Sequence, residues 1–253
     1  MNKTKLFGLL AFAVALSAQS GNVSAQSTTR DRLKADKCYS KDGSKEVACD
    51  DAKSQQAAAK YPNAARIGRP FPNTKIKKEW DALVKATMGK DSNAIISAAQ
   101  AVLNHADASA NEKSESSNQI AQAYLQTDKT SYQQTIKKKK KAIDFNGLTN
   151  NAHYQLMGVL SQMLMAEKRY DESLLYANRY AAETGIDDMT VNKTRGNDLY
   201  RLKRFPEAAV ALQKAYDLDK GADPNLATML MDSYEKSGNK AQANKIADDV
   251  SKS

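Results

Sequence analysis

From residue 77 onward, apolar and polar residues alternate with the period of an α-helix, and short polar breaks separate the segments. This pattern predicts a series of amphipathic helices. Three segments, residues 160–183, 195–218 and 230–250, align without gaps at a period of 35 residues. A fixed period of this length is typical of stacked helical repeats. The sequence therefore predicts an all-α solenoid built from helical hairpins.

Four aligned columns indicate how each hairpin folds. One column precedes the polar turn, and three follow it. The columns are Leu164, Leu199 and Tyr234; then Tyr170, Phe205 and Lys240; then Ser173, Ala208 and Ala243; then Ala177, Leu212 and Ala247. Small residues at the start of the second helix would let the two helices of a pair approach closely. Neighbouring pairs would then bury the helix surface that a single pair leaves exposed.

The best repeat, RGNDLYRLKRFPEAAVALQKAYDLD, resembles the tetratricopeptide repeat (TPR). The family's Gly, aromatic and Ala positions are matched by Gly196, Phe205, Ala208 and Ala215. The sequence departs from the family pattern at Asn192 and Arg195, where a Trp-like and a Leu residue are usual, and its proline comes late, as Pro224. The resemblance covers residues 150–253 and implies a helix–turn–helix unit of the TPR type.

Two weaker units precede this region. One places Tyr132 in the aromatic column and Ala142 in the later Ala column. The other places Gly89 at its turn, and its second helix carries Ala94, Ala98 and Ala101. We therefore predict about five helix pairs, which form a TPR-like repeat domain over residues 76–253.

Five consecutive lysines, residues 137–141, fall inside the second helix of the weaker unit at 132–143. At 100° per residue, Lys137, Lys138 and Lys141 face away from the buried stripe, and Lys140 lies at its edge. Lys139 falls in the column of Ala177 and Leu212, so its ammonium must reach water along its own methylenes. We expect a wider gap or a kink in the stack there. This basic patch is either a solvated outer face or a weak electrostatic contact with an acidic partner or anionic surface.

Residues 1–25 read as a cleavable signal peptide. Lys3 and Lys5 precede an apolar run at 6–18, and Val23-Ser24-Ala25 offers small residues for the peptidase. The run is shorter than the ~20 residues that span a bilayer. The first later cysteine is far from the cleavage site, so no lipobox is expected. We predict a periplasmic or secreted protein without stable membrane insertion.

Residues 26–75 are predicted to form an irregular N-terminal segment. Cys38 and Cys49 flank the turn dipeptide Asp42-Gly43, and a close cysteine pair in an exported protein favours a disulfide hairpin. A short helix at 50–60 and a Pro-rich linker at 61–75 would follow.

The positive charge is concentrated in this N-terminal segment. Residues 26–78 hold 13 Lys and Arg against 6 Asp and Glu, whereas residues 79–253 hold 23 of each. A neutral repeat domain lacks the basic footprint of a nucleic-acid binder, so we expect no nucleic acid partner.

No catalytic or metal-binding motif emerges. His105 and His153, the only histidines, lie in separate repeats without a Cys or carboxylate at metal-ligand spacing, and a surface or capping role is favoured. We therefore predict no catalytic residues, no metal and no cofactor, and a protein that is not an enzyme.

The TPR resemblance implies a concave groove on the first helices that binds an extended peptide or a partner helix. Transferring the family's groove positions gives Gln155, Gln162, Lys193, Asn197, Tyr200, Arg201, Asn225, Thr228, Asp232 and Glu235. Lys193 and Asn197 match the start of the family's carboxylate clamp, but Asn225 and Met229 do not complete it. The implied function is an adaptor for an unidentified envelope or secreted protein, of unknown oligomeric state. The alternative is an electrostatic binder of anionic polymer or membrane that uses the basic N-terminal segment and lysines 137–141.

Overall fold

A computed structural model describes residues 38–39, 46–47, 61, 73–127 and 131–251. Within them lie ten α-helices, one 3₁₀ turn (Thr74–Ile76) and two strands, β1 (Cys38–Tyr39) and β2 (Glu46–Val47). The helices are α1 (Lys77–Gly89), α2 (Ser92–Asn104), α3 (Ala110–Thr127), α4 (Tyr132–Asp144), α5 (Asn150–Ala166), α6 (Tyr170–Thr184), α7 (Met189–Arg201), α8 (Phe205–Asp219), α9 (Pro224–Lys236) and α10 (Lys240–Ser251). The prediction of five helix pairs is confirmed.

The helices stack in chain order. Each packs on the helix before it and the helix after it, and α7 also touches α5 and α9, the first helices of the neighbouring pairs. Contacts of this kind, limited to near neighbours, define a solenoid. The predicted TPR-like helical-hairpin solenoid is thus the fold of the repeat domain.

The last three pairs share one turn. Lys168, Lys203 and Gly238 occupy the same place in it, and all three have positive φ, at 60°, 61° and 83°. In each turn the following residue donates its N–H to a carbonyl five residues back, at 2.8–2.9 Å, as in a Schellman motif. The accepting carbonyls belong to Leu164, Leu199 and Tyr234, which form the column that precedes the predicted turn.

The predicted small-residue columns lie in the core. Ser173, Ala208 and Ala243 are buried, and Ala177 and Leu212 are fully buried. The remaining member of the second column, Ala247, is exposed on α10. The columns therefore mark the contact between the two helices of a pair, except near the end of α10.

The three alanines expected on the second helix of the first pair, Ala94, Ala98 and Ala101, lie on α2. They do not form its buried stripe. In α2 the buried residues are Ile95, Ala99 and Val102, whereas Ala94 and Ala98 are half-buried and Ala101 is exposed. The helix begins at Ser92, capped by Asp91, and its larger apolar side chains take the inward positions.

Helix α3 begins in an unusually polar environment. Five of its first eight side chains, Asn111, Glu112, Ser114, Ser116 and Ser117, are almost completely buried. Glu112 accepts hydrogen bonds from the backbone N–H groups of Ser109 at 2.7 Å and Asn73 at 2.9 Å, and its own N–H donates to the Ser109 hydroxyl. This capping box closes the helix end and ties it to the start of the repeat domain.

The loop before α5 approaches α3 very closely. The side-chain amide of Asn111 donates to the Gly147 carbonyl at 2.5 Å, and the Gly147 N–H donates to the Ser114 hydroxyl at 3.0 Å. A Cβ on Gly147 would lie 2.2 Å from the carbonyl carbon of Ala110. Only glycine fits this contact between the second and third pairs.

Helices α4 and α5 make the sparsest contact of any consecutive helices in the stack. Lys139 lies on α4, in the column whose other members include the fully buried Ala177 and Leu212, and it is 5% exposed. Burial lowers the pKa of its ammonium to about 8. Its column faces the other helix of its own pair, α3, where the contact is extensive, so the wider gap or kink expected at Lys139 stays a prediction.

Few residues of the N-terminal segment are described. β1 and β2 pair antiparallel, with Cys38 opposite Val47, which agrees with the predicted chain reversal. The Cys38 side chain, Cys49, the signal peptide and the predicted helix at 50–60 lie outside the described residues, and the disulfide stays a prediction. Tyr61 is buried, with its ring centroid 5.0 Å from that of Tyr154 and 6.4 Å from that of Tyr180.

Candidate partner-binding surfaces

The predicted groove residues lie on the first helices α5, α7 and α9, of which α7 touches both of the others. None of the ten is buried. Asn197, Tyr200 and Asp232 are half-buried, and the exposed ones are Gln155, Gln162, Lys193, Arg201, Asn225, Thr228 and Glu235. We call these ten residues the groove face. The structure thus places all ten on accessible sides of neighbouring first helices.

Lys193, the residue that matches the first clamp position, already has an internal partner. Its ammonium forms an ion pair with Asp223, which also caps α9 by accepting from the Asn225 N–H at 2.9 Å. The bond from Lys193 is the main reason that the pKa of Asp223 is lowered. Lys193 is therefore held at the start of the next first helix and is partly neutralised.

Tyr200 and Asp232 meet in a second cluster on the groove face. The Tyr200 hydroxyl donates to the Asp232 carboxylate, and Lys236 pairs with the same carboxylate at 2.5 Å. The Lys236 ammonium also lies over the Tyr200 and Phe205 rings, 4.8 and 5.2 Å from their centroids. Bonds from Lys236 and then from Tyr200 lower the pKa of Asp232. This cluster joins α7, α8 and α9 and carries no net charge.

The rest of the groove face is available for binding. Its other members form no side-chain hydrogen bond or ion pair with a described residue, except that the Thr228 hydroxyl donates to the Pro224 carbonyl at 2.8 Å. Those members are Gln155, Gln162, Asn197, Arg201, Asn225 and Glu235. Four of these six side chains are neutral amides, which can donate to and accept from a peptide backbone.

The lysine run lies on α4 much as the helical projection predicted. Lys137 and Lys141 are exposed, Lys138 and Lys140 are half-buried, and Lys139 is buried. Lys140 forms an ion pair with Glu172 of α6, and Lys138 approaches Gln100 of α2 at 3.5 Å. Burial first, and then the neighbouring charges of Lys137 and Lys141, lower the pKa of Lys138. The run is therefore divided between two sides of α4.

Neither histidine belongs to a candidate metal site among the described residues. His105 follows α2, and its ring nitrogen accepts from the Asp107 N–H at 3.2 Å. His153 is fully buried in α5, so a surface or capping role was the wrong expectation for it. The described residues include no group of three His, Cys, Asp or Glu side chains that could hold a metal ion. None of the described helices is long and apolar enough to cross a membrane.

Sequence reasoning missed the partners that occupy the groove face and the lysine run. Lys236, Asp223 and Glu172 each neutralise a residue that was predicted to bind a partner. One signal was present, because Asp232 and Lys236 stand four residues apart on a predicted helix, which is the spacing of a surface ion pair. The pairs across helices required knowledge of how the repeats stack.

The chain matches no known protein-family profile and no curated protein. Its fold is similar to solved structures of MamA. A crystal structure of MamA has 16% identity and a TM-score of 0.51, covering 69% of this chain and 88% of MamA. The MamA RS-1 ArsTM double mutant has 16% identity and a TM-score of 0.51. The match covers 71% of this chain and 94% of that chain.

A third structure, MamA from residue 41 to its end from Desulfovibrio magneticus RS-1, has 15% identity and a TM-score of 0.50. The match covers 71% of this chain and 95% of that MamA chain. MamA proteins are TPR-like helical repeat proteins. At this level of identity the likeness shows the fold alone, and that fold is the TPR-like helical repeat which the sequence predicted.

Proposed function

We propose that this protein is a non-enzymatic scaffold that binds a peptide or a partner helix on its groove face. The observation that supports this most directly is the adjacency of α5, α7 and α9, which present accessible polar side chains on one surface. Stacked repeats build extended surfaces of this kind, and such surfaces suit elongated partners.

The charges on the groove face indicate which ligands it prefers. Asp223 neutralises Lys193, and Lys236 neutralises Asp232, so the clamp lysine is not available for a terminal carboxylate. The unpaired amides of Gln162, Asn197 and Asn225 favour the peptide groups of an extended segment. We therefore propose binding of modest affinity that depends on backbone hydrogen bonds and depends weakly on salt.

Site-specific photo-crosslinking tests this proposal. A photoreactive residue at Asn197 or Asn225 should form an adduct with a discrete partner in the native host. The matched controls are Leu175 and Val210, which are exposed on the second helices α6 and α8, one repeat apart. Equal adducts at groove and control positions would refute a groove-specific role.

We further propose that the protein acts outside the cytoplasm, in the envelope or as a secreted protein. The support is the signal-peptide pattern of residues 1–25. Fractionation of the native host, with N-terminal sequencing of the mature chain, should find the protein outside the cytoplasm and beginning at Gln26. A cytoplasmic protein that retains residues 1–25 would contradict this.

A second function, binding of an anionic polymer or membrane surface, is supported by Lys137 and Lys141. Both are exposed, and neither forms an ion pair with a residue that the structure describes. Binding through such charges would fall steeply with added salt, because released counterions drive it. Titration with anionic vesicles at two salt concentrations distinguishes this function from the groove proposal.

A further inference from the structure

A recessed cleft separates α4 from the turn that leads into α6. Its volume is about 390 Å³, and its lining residues are Gln133, Gln134, Ile136, Lys137, Lys140 and Arg169. It involves the helix whose contact with α5 is the sparsest in the stack. None of its residues belongs to the groove face, so it is a separate surface from the one proposed above.

Glu172, which is bonded to two of the lining residues, shows what the cations of this cleft can bind. The Arg169 guanidinium donates to one oxygen of its carboxylate at 2.6 Å, and the Lys140 ammonium binds the other oxygen. These two bonds, with Arg169 the stronger, lower the pKa of Glu172 to about 2. Cations from α4 and from the turn before α6 therefore converge on a single carboxylate.

Positive charge remains after this pairing. Lys137 lines the same cleft, is exposed and forms no ion pair with any residue in the described part of the chain. The Arg169 guanidinium also donates to the side-chain oxygen of Gln133 at 3.2 Å, and the amide nitrogen of Gln133 donates to the Glu167 carboxylate, so both ends of that amide are occupied. The cleft thus offers Lys137, a cation without a counterion, next to the exposed Gln134 amide, which can bind a peptide backbone.

We propose that this cleft binds a carboxylate-rich segment of a partner protein alongside Glu172. Lys137 contacts an incoming carboxylate, and the Gln134 amide contacts a peptide group next to that acidic side chain. A polypeptide fits better than a membrane surface, because the Lys140 and Arg169 side chains are only 25% and 34% exposed. A flat bilayer would reach Lys137 and Lys141 but not these recessed groups.

Fluorescence anisotropy with labelled hexaglutamate and the full chain tests the proposal at low salt. Lys137→Gln should weaken binding by about three- to fivefold, in the range of one exposed ion pair. Lys138→Gln is the matched control, since it removes the same charge from the same helix while its ammonium points to Gln100 of α2. Its effect should be less than about twofold.

Glu172→Gln supplies a test of opposite sign. It removes the internal carboxylate that competes for Lys140 and Arg169, so hexaglutamate should bind about threefold more tightly. Glu207→Gln is the register-matched control, because Glu207 pairs with Arg204 one repeat later and Asn178 stands there in place of Lys140. It changes the net charge equally without opening the cleft.

Three results would overturn the proposal. One is the absence of hexaglutamate binding. Another is equal behaviour of Lys137→Gln and Lys138→Gln, or of Glu172→Gln and Glu207→Gln. The third is binding to phosphatidylglycerol vesicles without binding to hexaglutamate. If Lys137→Gln and Lys141→Gln weaken that vesicle binding equally, the lysine run is assigned to a membrane surface instead.

Discussion

The last three helix pairs and the first two are built by different means. Helices α5 to α10 repeat one turn at a fixed period, with Lys168, Lys203 and Gly238 at its left-handed position. Helices α1 to α4 do not follow that period. They are joined to each other and to α5 by polar contacts around Glu112 and Gly147. The regular part is specified by repetition, and the irregular part by individual residues.

This difference predicts how each part responds to substitution. In the regular part, the same contact recurs in neighbouring pairs, and a change alters one copy of it. In the irregular part each contact occurs once, and a change removes it entirely. Five substitutions test this contrast, from the largest expected effect to the smallest.

Gly147→Ala should have the largest effect, because the new Cβ would lie 2.2 Å from backbone atoms of Ala110 and Asn111. Backbone on both sides must move, so we expect a loss of about 3 kcal/mol in the free energy of unfolding. Urea denaturation followed by circular dichroism measures it. A loss below about 1 kcal/mol would show that the α3 contact is looser than described.

Gly196→Ala tests a similarly close contact at a glycine in the regular part. Its Cβ would meet the Leu212 side chain at 2.4 Å, and that side chain can rotate away more easily than backbone can move. We expect a loss of about 1–2 kcal/mol by the same urea measurement, smaller than for Gly147→Ala. A larger loss than for Gly147→Ala would reverse the comparison.

Asp198 is a buried carboxylic acid in the regular part. It is fully buried in α7, and the nearby Ser173 hydroxyl donates to the Ser161 carbonyl at 2.7 Å. Burial, and to a lesser extent the charge of Asp171, raise the pKa of Asp198 to about 7. The folded protein then holds this proton while the unfolded chain has lost it, so stability should fall as the pH rises from about 4 to about 7.

Asp198→Asn should remove that slope and raise stability at pH 8 by about 1–2 kcal/mol. Thermal unfolding at pH 5 and pH 8 measures both effects. Asp217→Asn, an exposed position on α8, serves as the control and should leave the slope unchanged. An unchanged slope in Asp198→Asn would mean that the carboxylate is ionised in the fold.

Lys139→Met tests the buried ionisable side chain of the irregular part, as Asp198→Asn does for the regular part. The lowered pKa of Lys139, about 8 instead of 10.5, means that the folded protein releases this proton earlier than the unfolded chain does. Stability should therefore rise as the pH increases from about 8 to about 10.5. Lys139→Met should abolish that rise and stabilise the protein at pH 7 by about 1 kcal/mol. Lys141→Met, on the exposed side of α4, should do neither.

Gly158→Ala should have the smallest effect and the opposite sign to Gly196→Ala. A Cβ on Gly158 in α5 would meet only Val191, at an ordinary 3.8 Å. Alanine favours a helix interior over glycine by about 0.5–1 kcal/mol, so we expect a gain of that size in thermal or urea unfolding. A loss instead would reveal a packing constraint between α5 and α7.

Much of the fold followed from the sequence. The period of 35 fixed the last three pairs, because a repeated pattern shows which positions are equivalent even when each signal is weak. The start of α4 at Tyr132 and the burial of Lys139 followed from extending the same register. The core of the first pair could not be predicted from its alanines, because Ile95, Ala99 and Val102 take the buried positions of α2.

The surfaces were less predictable than the core. Which residues are accessible could be predicted from helical periodicity, and the ten groove positions are indeed unburied. Which of them are already paired depends on side chains one repeat away, such as Asp223 opposite Lys193. A single sequence contains both residues but does not reveal that the fold brings them together.

The burial of Tyr61 has a consequence for how the protein folds. Repeat proteins usually unfold as a linear series of units, each coupled only to its neighbours, so that one end can melt while the other persists. Tyr61 breaks that rule, because its ring packs against Tyr154 and Tyr180, roughly a hundred residues further along the chain. This long-range contact raises the contact order, and it makes the N-terminal segment a participant in the cooperativity of the third helix pair.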